Sequence, residues 1–219
     1  MNRLTNLANK HKTDKGTEYM YSHGFTLFYE PFLQKFENPT ILEIGTAEGS
    51  SAKMFNDYFD GNCTIYTVDI KDNSKKVEGY DNIHFIQCDA GGEKGIWELL
   101  ERLKDVDFDI IIDDGSHVWE HQFLLLMYLH RKVKKGGIYI LEDLHTSYDY
   151  SFTFGPKTTE NSPLFFLNFF DRPDLLGENE TNDIKNSIED VFIFNHRNEK
   201  NFWLFANRSI TAVLTFRDK

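Results

Sequence analysis

The stretch ILEIGTAEGSS, residues 41–51, decides the fold. Residues 41–44 suit a buried strand, and the chain then passes Gly45 and Gly49 before Ser50 and Ser51 open a helical pattern. A strand that runs through glycines into a helix start leaves backbone N–H groups free where a ligand can approach closely. The spacing is Gly-x-x-x-Gly, not the GxGxxG of dinucleotide binders, and Glu43 stands ahead of the first glycine. An acid there accepts a hydrogen bond or balances a cationic ligand, but it sits poorly beside a pyrophosphate. This argues against an NAD-dependent oxidoreductase.

Outward from this stretch the pattern repeats. Further strands are predicted over 64–68, 84–87, 110–112 and 138–141, with helices over 50–59, 93–103 and 118–132 between them. Strands alternating with helices predict a doubly wound, Rossmann-like α/β sheet with right-handed crossovers. Residues 190–195, 202–205 and 210–216 read as antiparallel strands closing the carboxyl-terminal edge. Residues 2–36 read as two helices rich in Tyr and Phe around the polar turn TDKG (13–16), a helical cap over residues 1–38. Residues 144–187 carry turn formers and aromatics without periodicity and read as a substrate lid. The 219 residues, 40% hydrophobic, fit one domain spanning 1–219.

The acids fall at strand ends. Asp69 in TVDI ends the second strand, where a carboxylate can hold both ribose hydroxyls, and Asp89 in FIQCDA follows the third, near an adenine amino group. Each alone reads as well as a helix cap or a solvated loop residue. With Glu43 they make three acids at three consecutive strand ends, which favours a nucleoside site.

Strands four and five read FDIIIDDGSH (108–117) and GGIYILEDLHTSY (136–148). As neighbours about 4.8 Å apart, they bring Asp113, Asp114, Glu142 and Asp143 into one crevice. Unpaired carboxylates there repel one another, and a hard divalent cation such as magnesium relieves the repulsion while keeping positions open for substrate. His117, three residues after Asp114, suits a general base toward a hydroxyl, with a capping or surface role as the alternative. His145 suits either substrate positioning or a turn cap. The aromatics Tyr148, Tyr150, Phe152 and Phe154 suit stacking on a sugar ring or core packing.

Composition bounds the rest. Lys+Arg 24 against Asp+Glu 35 gives a formal net charge of −11, which repels a phosphate backbone, so no nucleic-acid partner is expected. No apolar run approaches a membrane span, and the polar start MNRLTNLANKHKTDKG lacks a secretory signal, so a cytoplasmic protein without membrane attachment is expected. Cys63 and Cys88 lack CxxC spacing and read as small core residues. A homo-oligomer is expected.

At these residues the chain resembles the metal-dependent class I O-methyltransferases, which place a metal-binding Asp after strand four and an acidic or amide pair after strand five, as catechol O-methyltransferase does. DDGSH, EDLHTSY and an amino-terminal TDKG more closely resemble the macrolide-sugar and aminocoumarin-sugar O-methyltransferases and a cephalosporin-biosynthesis relative, over residues 13–148. The resemblance implies S-adenosylmethionine held by Thr13, Gly16, Glu43, Gly45, Ser51, Asp69, Asp89 and Asp113, with residues 13–16 closing over it. It implies Mg2+ or another divalent metal on Asp114, Glu142 and Asp143, His117 as base, and a sugar-containing small molecule near His145 and Tyr148. The carboxyl-terminal segment has no counterpart, so phenol or catechol O-methylation, N-methylation and a non-catalytic S-adenosylmethionine-binding module stay open.

Overall fold

A computed structural model describes residues 2–169, 177–197 and 208–217. Among them a seven-stranded sheet runs in the order β3-β2-β1-β4-β5-β7-β6. Its strands are β1 (Thr40–Ile44), β2 (Thr64–Asp69), β3 (Ile83–Gln87), β4 (Phe108–Asp113), β5 (Val133–Leu141), β6 (Ile188–Arg197) and β7 (Arg208–Phe216). The first five pair in parallel, while β7 joins β5 antiparallel and carries β6 at the edge. This is the class I methyltransferase arrangement, with the antiparallel edge the sequence predicts. The predicted strand over 202–205 lies outside the described residues.

Alternation along the central strands sends side chains into two cores. Ile41, Ile110, Ile112, Ile138 and Ile140 face one side and pack with α1 (Arg3–His11), α2 (Thr26–Leu33) and α3 (Ser50–Tyr58). Leu42, Ile44, Ile111, Tyr139 and Leu141 face the other, under α4 (Glu93–Arg102), α5 (Trp119–Leu129), α6 (Pro163–Phe169) and α7 (Glu178–Ser187). Both faces are covered, so the strands read as near-continuous hydrophobic runs. Cys63 and Cys88 are buried and unpaired, as small core residues should be. No described helix is long and apolar enough to cross a membrane.

Helices α1 and α2 form on either side of the 13–16 turn, and local chemistry shows what holds α1 in place. Asn2 caps α1 by accepting a hydrogen bond from the Thr5 amide at 2.8 Å. Lys10 and His11 on the last turn of α1 both reach the Asp57 carboxylate of α3 at 2.8 Å. Residues 144–187 are less loop-like than their composition suggests. Leu144–Tyr148 forms a 3-10 turn whose first four residues are buried, and Phe166, Leu167 and Ile184 of the following helices enter the core. Among the described residues of this segment, the large aromatics Tyr148, Tyr150 and Phe154 remain exposed, at 50%, 40% and 79%.

Candidate functional site

Two adjoining sites lie at the carboxyl ends of the parallel strands, an open cleft and a largely buried acidic cluster. The first is a cleft of about 360 Å³ lined by the ends of β1 and β2 and the turns after β3 and β4, a volume within the range of small-ligand sites. Gly45, Asp69 and Asp89 line it, beside Gly115, Ser116 and His121. Gly45 has φ 104°, and a Cβ there would lie 2.0 Å from the Asp114 carbonyl oxygen, so a glycine is required for the loop to pass this close to the next strand's turn. Asp69 Oδ2 accepts from the Thr46 and Ala47 amides at 3.2 and 3.0 Å, and Oδ1 accepts from the Lys71 amide at 2.9 Å. Its carboxylate therefore fixes the glycine loop as well as facing the cleft. Asp89 is exposed, with Oδ1 accepting from the Gly91 amide at 3.2 Å.

Several predicted cofactor contacts sit elsewhere. Glu43 is fully buried beneath the loop, where it accepts from Ser51 Oγ and, at 3.5 Å, from Thr67 Oγ1. Burial raises its pKa from 4.5 to about 7, against the nearby Lys15 charge and these hydroxyls. Glu43 and Ser51 thus brace the loop from below and do not line the cleft. Asp113 points into the core: burial raises its pKa to about 7, and its Oδ2 has no hydrogen-bond partner. Thr13 and Gly16 are absent from the lining as well. Their turn carries Lys15 to Asp114 and Glu142, and Gly16 fits tightly against Asn9 and Ala8.

The second site is the acidic cluster. One ligand atom each from Asp114, His117 and Asp143 lies within 4.8 Å of the others, a grouping able to hold a metal ion. His117 Nε2 is 3.4 Å from Asp143 Oδ2. Asp143 Oδ1 is 3.4 Å from His145 Nδ1 and 3.7 Å from His23 Nδ1. Burial opposes the charge on Asp143, but His117, His23 and His145 together outweigh it and hold the carboxyl below the ordinary range. Both His117 and Asp143 adopt left-handed backbone, at φ 60° and 55°, which is uncommon for such residues and concentrates at functional sites. Thr146 Oγ1 donates to both of their carbonyl oxygens, at 3.2 and 2.9 Å, and fixes this geometry.

Glu142, the third expected ligand, is held differently. Its Oε1 accepts from Tyr29 Oη at 2.8 Å and its Oε2 accepts from Lys15 Nζ at 2.5 Å, while Lys15 also pairs with Asp114 Oδ2. The structure therefore gathers His117 with Asp114 and Asp143, and directs Glu142 toward the cap. Burial pushes the Glu142 carboxyl well up, with Asp114 adding to the effect and Lys15 opposing it. Among the predicted acceptor residues, His145 is buried against Asp143 while Tyr148 is half exposed at the rim.

The residues do fit a divalent cation. Asp143 Oδ1 and His117 Nδ1 are buried with no hydrogen-bond partner, and carboxylate oxygens are the donors that hard cations take. Sequence reasoning missed Lys15, His23, Tyr29 and His121. Lys15 stands inside the TDKG turn, yet a lysine in a polar turn reads as solvated. His121 Nδ1 lies 2.7 Å from Ser116 Oγ on the cleft wall, one helical turn after His117, and only that spacing hinted at it.

No protein-family model matches the chain. It is 32% identical over 152 residues to the 8-demethyl-8-alpha-L-rhamnosyl tetracenomycin-C 2'-O-methyltransferase of Streptomyces olivaceus, a match covering 66% of this chain and 38% of that protein. It is 34% identical over 135 residues to the demethylmacrocin O-methyltransferase of Streptomyces fradiae, covering 58% of this chain and 33% of that one. The chain therefore spans well under half the length of these relatives. Among solved structures, the mycinamycin-pathway methyltransferase MycE, in complex with Mg, SAH and mycinamycin VI, superposes on the whole chain and on 54% of its own length with a TM-score of 0.74 at 23% identity. An O-methyltransferase from Bacillus cereus in complex with SAH superposes with a TM-score of 0.54 at 10% identity, over 97% of this chain and 90% of that one. Over about two thirds of its length the chain is thus similar in sequence to O-methyltransferases such as the rhamnosyl tetracenomycin-C enzyme, and over all of it the fold is the class I methyltransferase sheet.

Proposed function

We propose that this protein transfers a methyl group from S-adenosylmethionine to a hydroxyl of a sugar-containing small molecule, assisted by a divalent cation, with magnesium the first choice. The observation that carries the reading is the junction of the two sites: Gly115 lines the nucleoside cleft while the adjacent Asp114 belongs to the ion-binding group. The relatives named above are O-methyltransferases, one of them named for a rhamnosyl tetracenomycin-C, and MycE was crystallised with Mg and SAH. Both support the reading.

In it, Asp69 holds the ribose hydroxyls and Asp89 faces the adenine end of the cleft. Asp114 and Asp143 hold the cation. When bound between them, a divalent cation would supply the positive charge that lowers the pKa of an acceptor hydroxyl. His117 then takes the hydroxyl proton on a ring nitrogen, and Asp143, 3.4 Å from Nε2, stabilises the resulting imidazolium. The apolar rim formed by Tyr148, Tyr150 and Phe154 offers ring faces for a sugar.

The test is methyl transfer from labelled S-adenosylmethionine to a panel of rhamnosylated and macrolide-linked sugars, beside catechols and amines, with and without a chelator. Transfer to a glycoside that stops in chelator and returns with magnesium supports the reading. Transfer confined to catechols or amines overturns the acceptor class. Full turnover in chelator, with metal removal verified by elemental analysis, overturns the metal.

A further inference from the structure

Lys15 is the one fully buried lysine among the described residues, with 1% exposure, and it reaches the acidic crevice from the opposite end of the chain. Burying an unpaired ammonium is costly, so its position requires an equivalent gain. The gain is in its partners: Nζ pairs with both Asp114 and Glu142, and with Glu43 and Asp14 nearby these acids outweigh the cost of burial. The loop that delivers it is itself fastened. The Lys15 carbonyl oxygen accepts from the Thr26 amide and Oγ1, both at 3.1 Å, and Gly24 N donates to Gly16 O at 2.8 Å. Glu142 is fixed from the other side by Tyr29, whose hydroxyl lies 2.9 Å from Thr211 Oγ1.

We propose that Lys15 is a positioning residue of the ion site: its ammonium holds the Asp114 and Glu142 carboxylates at a fixed spacing and orientation, so that Asp114 presents its free oxygen to the cation. The proposal rests on the metal-dependent reading above. Without the ammonium the two carboxylates repel each other in a poorly solvated space and turn apart, and Asp114 no longer faces Asp143 and His117. Lys15 does not line the cleft assigned to the methyl donor and pairs with Asp114 and Glu142, so its effect travels through the ligands.

The experiment is titration calorimetry of the full chain with magnesium, and with SAH as a separate check of folding and of the nucleoside cleft. Lys15→Met should weaken magnesium binding by roughly 10- to 100-fold, the usual cost of losing a residue that orients metal ligands, with SAH affinity close to that of the unaltered protein. Lys15→Arg, which keeps a charged donor for both carboxylates, should recover most of the loss. Combined with Glu142→Gln, the effect of Lys15→Met should be less than additive, because the two residues act as one unit. If Lys15→Met fails to bind SAH, Lys15→Gln, which keeps a donor amide without the charge, carries the same comparison. Magnesium binding by the Met or Gln variant as tight as in the unaltered protein, or tighter, overturns the proposal and makes Lys15 a competing cation or a clamp of the cap. Unaltered protein that binds SAH but no metal overturns the metal-dependent reading itself, and this proposal with it.

Discussion

His117 can serve the crevice as a base or as a ligand, and one substitution separates the two. Its Nε2 lies 3.4 Å from Asp143 Oδ2, its Nδ1 is buried without a partner, and its backbone is pinned at φ 60°. His117→Ala removes the ring while leaving Asp114 and Asp143 in place. As a base, His117 contributes roughly 100- to 10,000-fold to the chemical step. That is about 2.7–5.4 kcal/mol of barrier at 1.36 kcal/mol per tenfold. The variant should therefore lose turnover by that factor and bind magnesium and SAH nearly as before. Raising the pH should recover part of the loss, since hydroxide or an ionised acceptor can replace the imidazole. Alanine is harder to place in left-handed backbone than histidine, so unchanged SAH and magnesium binding is the control that the variant keeps its fold.

The assay is single-turnover methyl transfer at saturating metal and donor across a pH series, paired with magnesium titrations. Near-normal turnover at neutral pH refutes the base. A fall in turnover that excess magnesium reverses, matched by weaker metal binding, refutes it in the other direction and makes His117 a ligand.

Asp69→Ala should weaken SAH binding by roughly 1.5–3 kcal/mol through loss of charge-assisted hydrogen bonds to ribose, with little change in metal affinity; unchanged SAH calorimetry would make Asp69 only the brace of the glycine loop. Gly45→Ala places a Cβ 2.0 Å from the Asp114 carbonyl oxygen at φ 104°, so thermal unfolding should show a loss of at least about 1–3 kcal/mol, and a variant as stable as the parent would refute the close approach. Glu43 gives a pH dependence. Its folded pKa, about 7, lies above the ordinary 4.5, so between those values the folded state binds more protons than the unfolded one and stability falls as pH rises. Glu43→Gln should flatten that part of the denaturation profile in chelator, and an unchanged slope would show that Glu43 does not titrate there.

The parallel sheet was legible because its strands are short β-branched runs bounded by turn formers, such as 41–44 and 110–112. β5 begins at Val133, earlier than expected, because Lys134 and Lys135 are exposed and Gly136 interrupts the pattern. The helices α6 and α7 were hidden for a related reason: α7 buries only Thr181 and Ile184 of its ten residues and so carries no clear period. The carboxylates of the crevice were legible from strand ends alone, since topology brings neighbouring strand ends together. Their partners were not. Lys15 meets Asp114 across 99 residues and Glu142 across 127, and Tyr29 meets Glu142 across 113, contacts that no local pattern encodes. The reading of Glu43 as a cofactor contact failed on direction: alternation along β1 turns its side chain beneath the loop, while the backbone of Gly45 forms the cleft wall.

Cleft and crevice share a wall one peptide thick, and this constrains how the two sites can move. The Asp114 amide donates to the Ile44 carbonyl oxygen at 2.9 Å, so the turn after β4 hangs on the end of β1. The Glu142 amide donates to the Asp113 carbonyl oxygen at 3.0 Å, and Gln122 Nε2 reaches the Glu142 carbonyl oxygen at 3.0 Å, so the end of β5 is tied to β4 and to α5. Under the proposed function, a donor held by Gly45 and Asp69 and an acceptor held beside Asp114 and Asp143 would thus be kept at a separation set by sheet hydrogen bonds. Reactions that need two groups at near-contact distance gain most from that kind of fixed spacing. The cap loop is tied to the sheet as well, since His23 Nδ1 lies 2.8 Å from Ser209 Oγ of β7 and Lys15 pairs with Asp114 and Glu142, whereas Tyr148, Tyr150 and Phe154 stay exposed. Under the proposed function, variation in acceptor size would fall to those aromatics, while the donor and the base would keep their places.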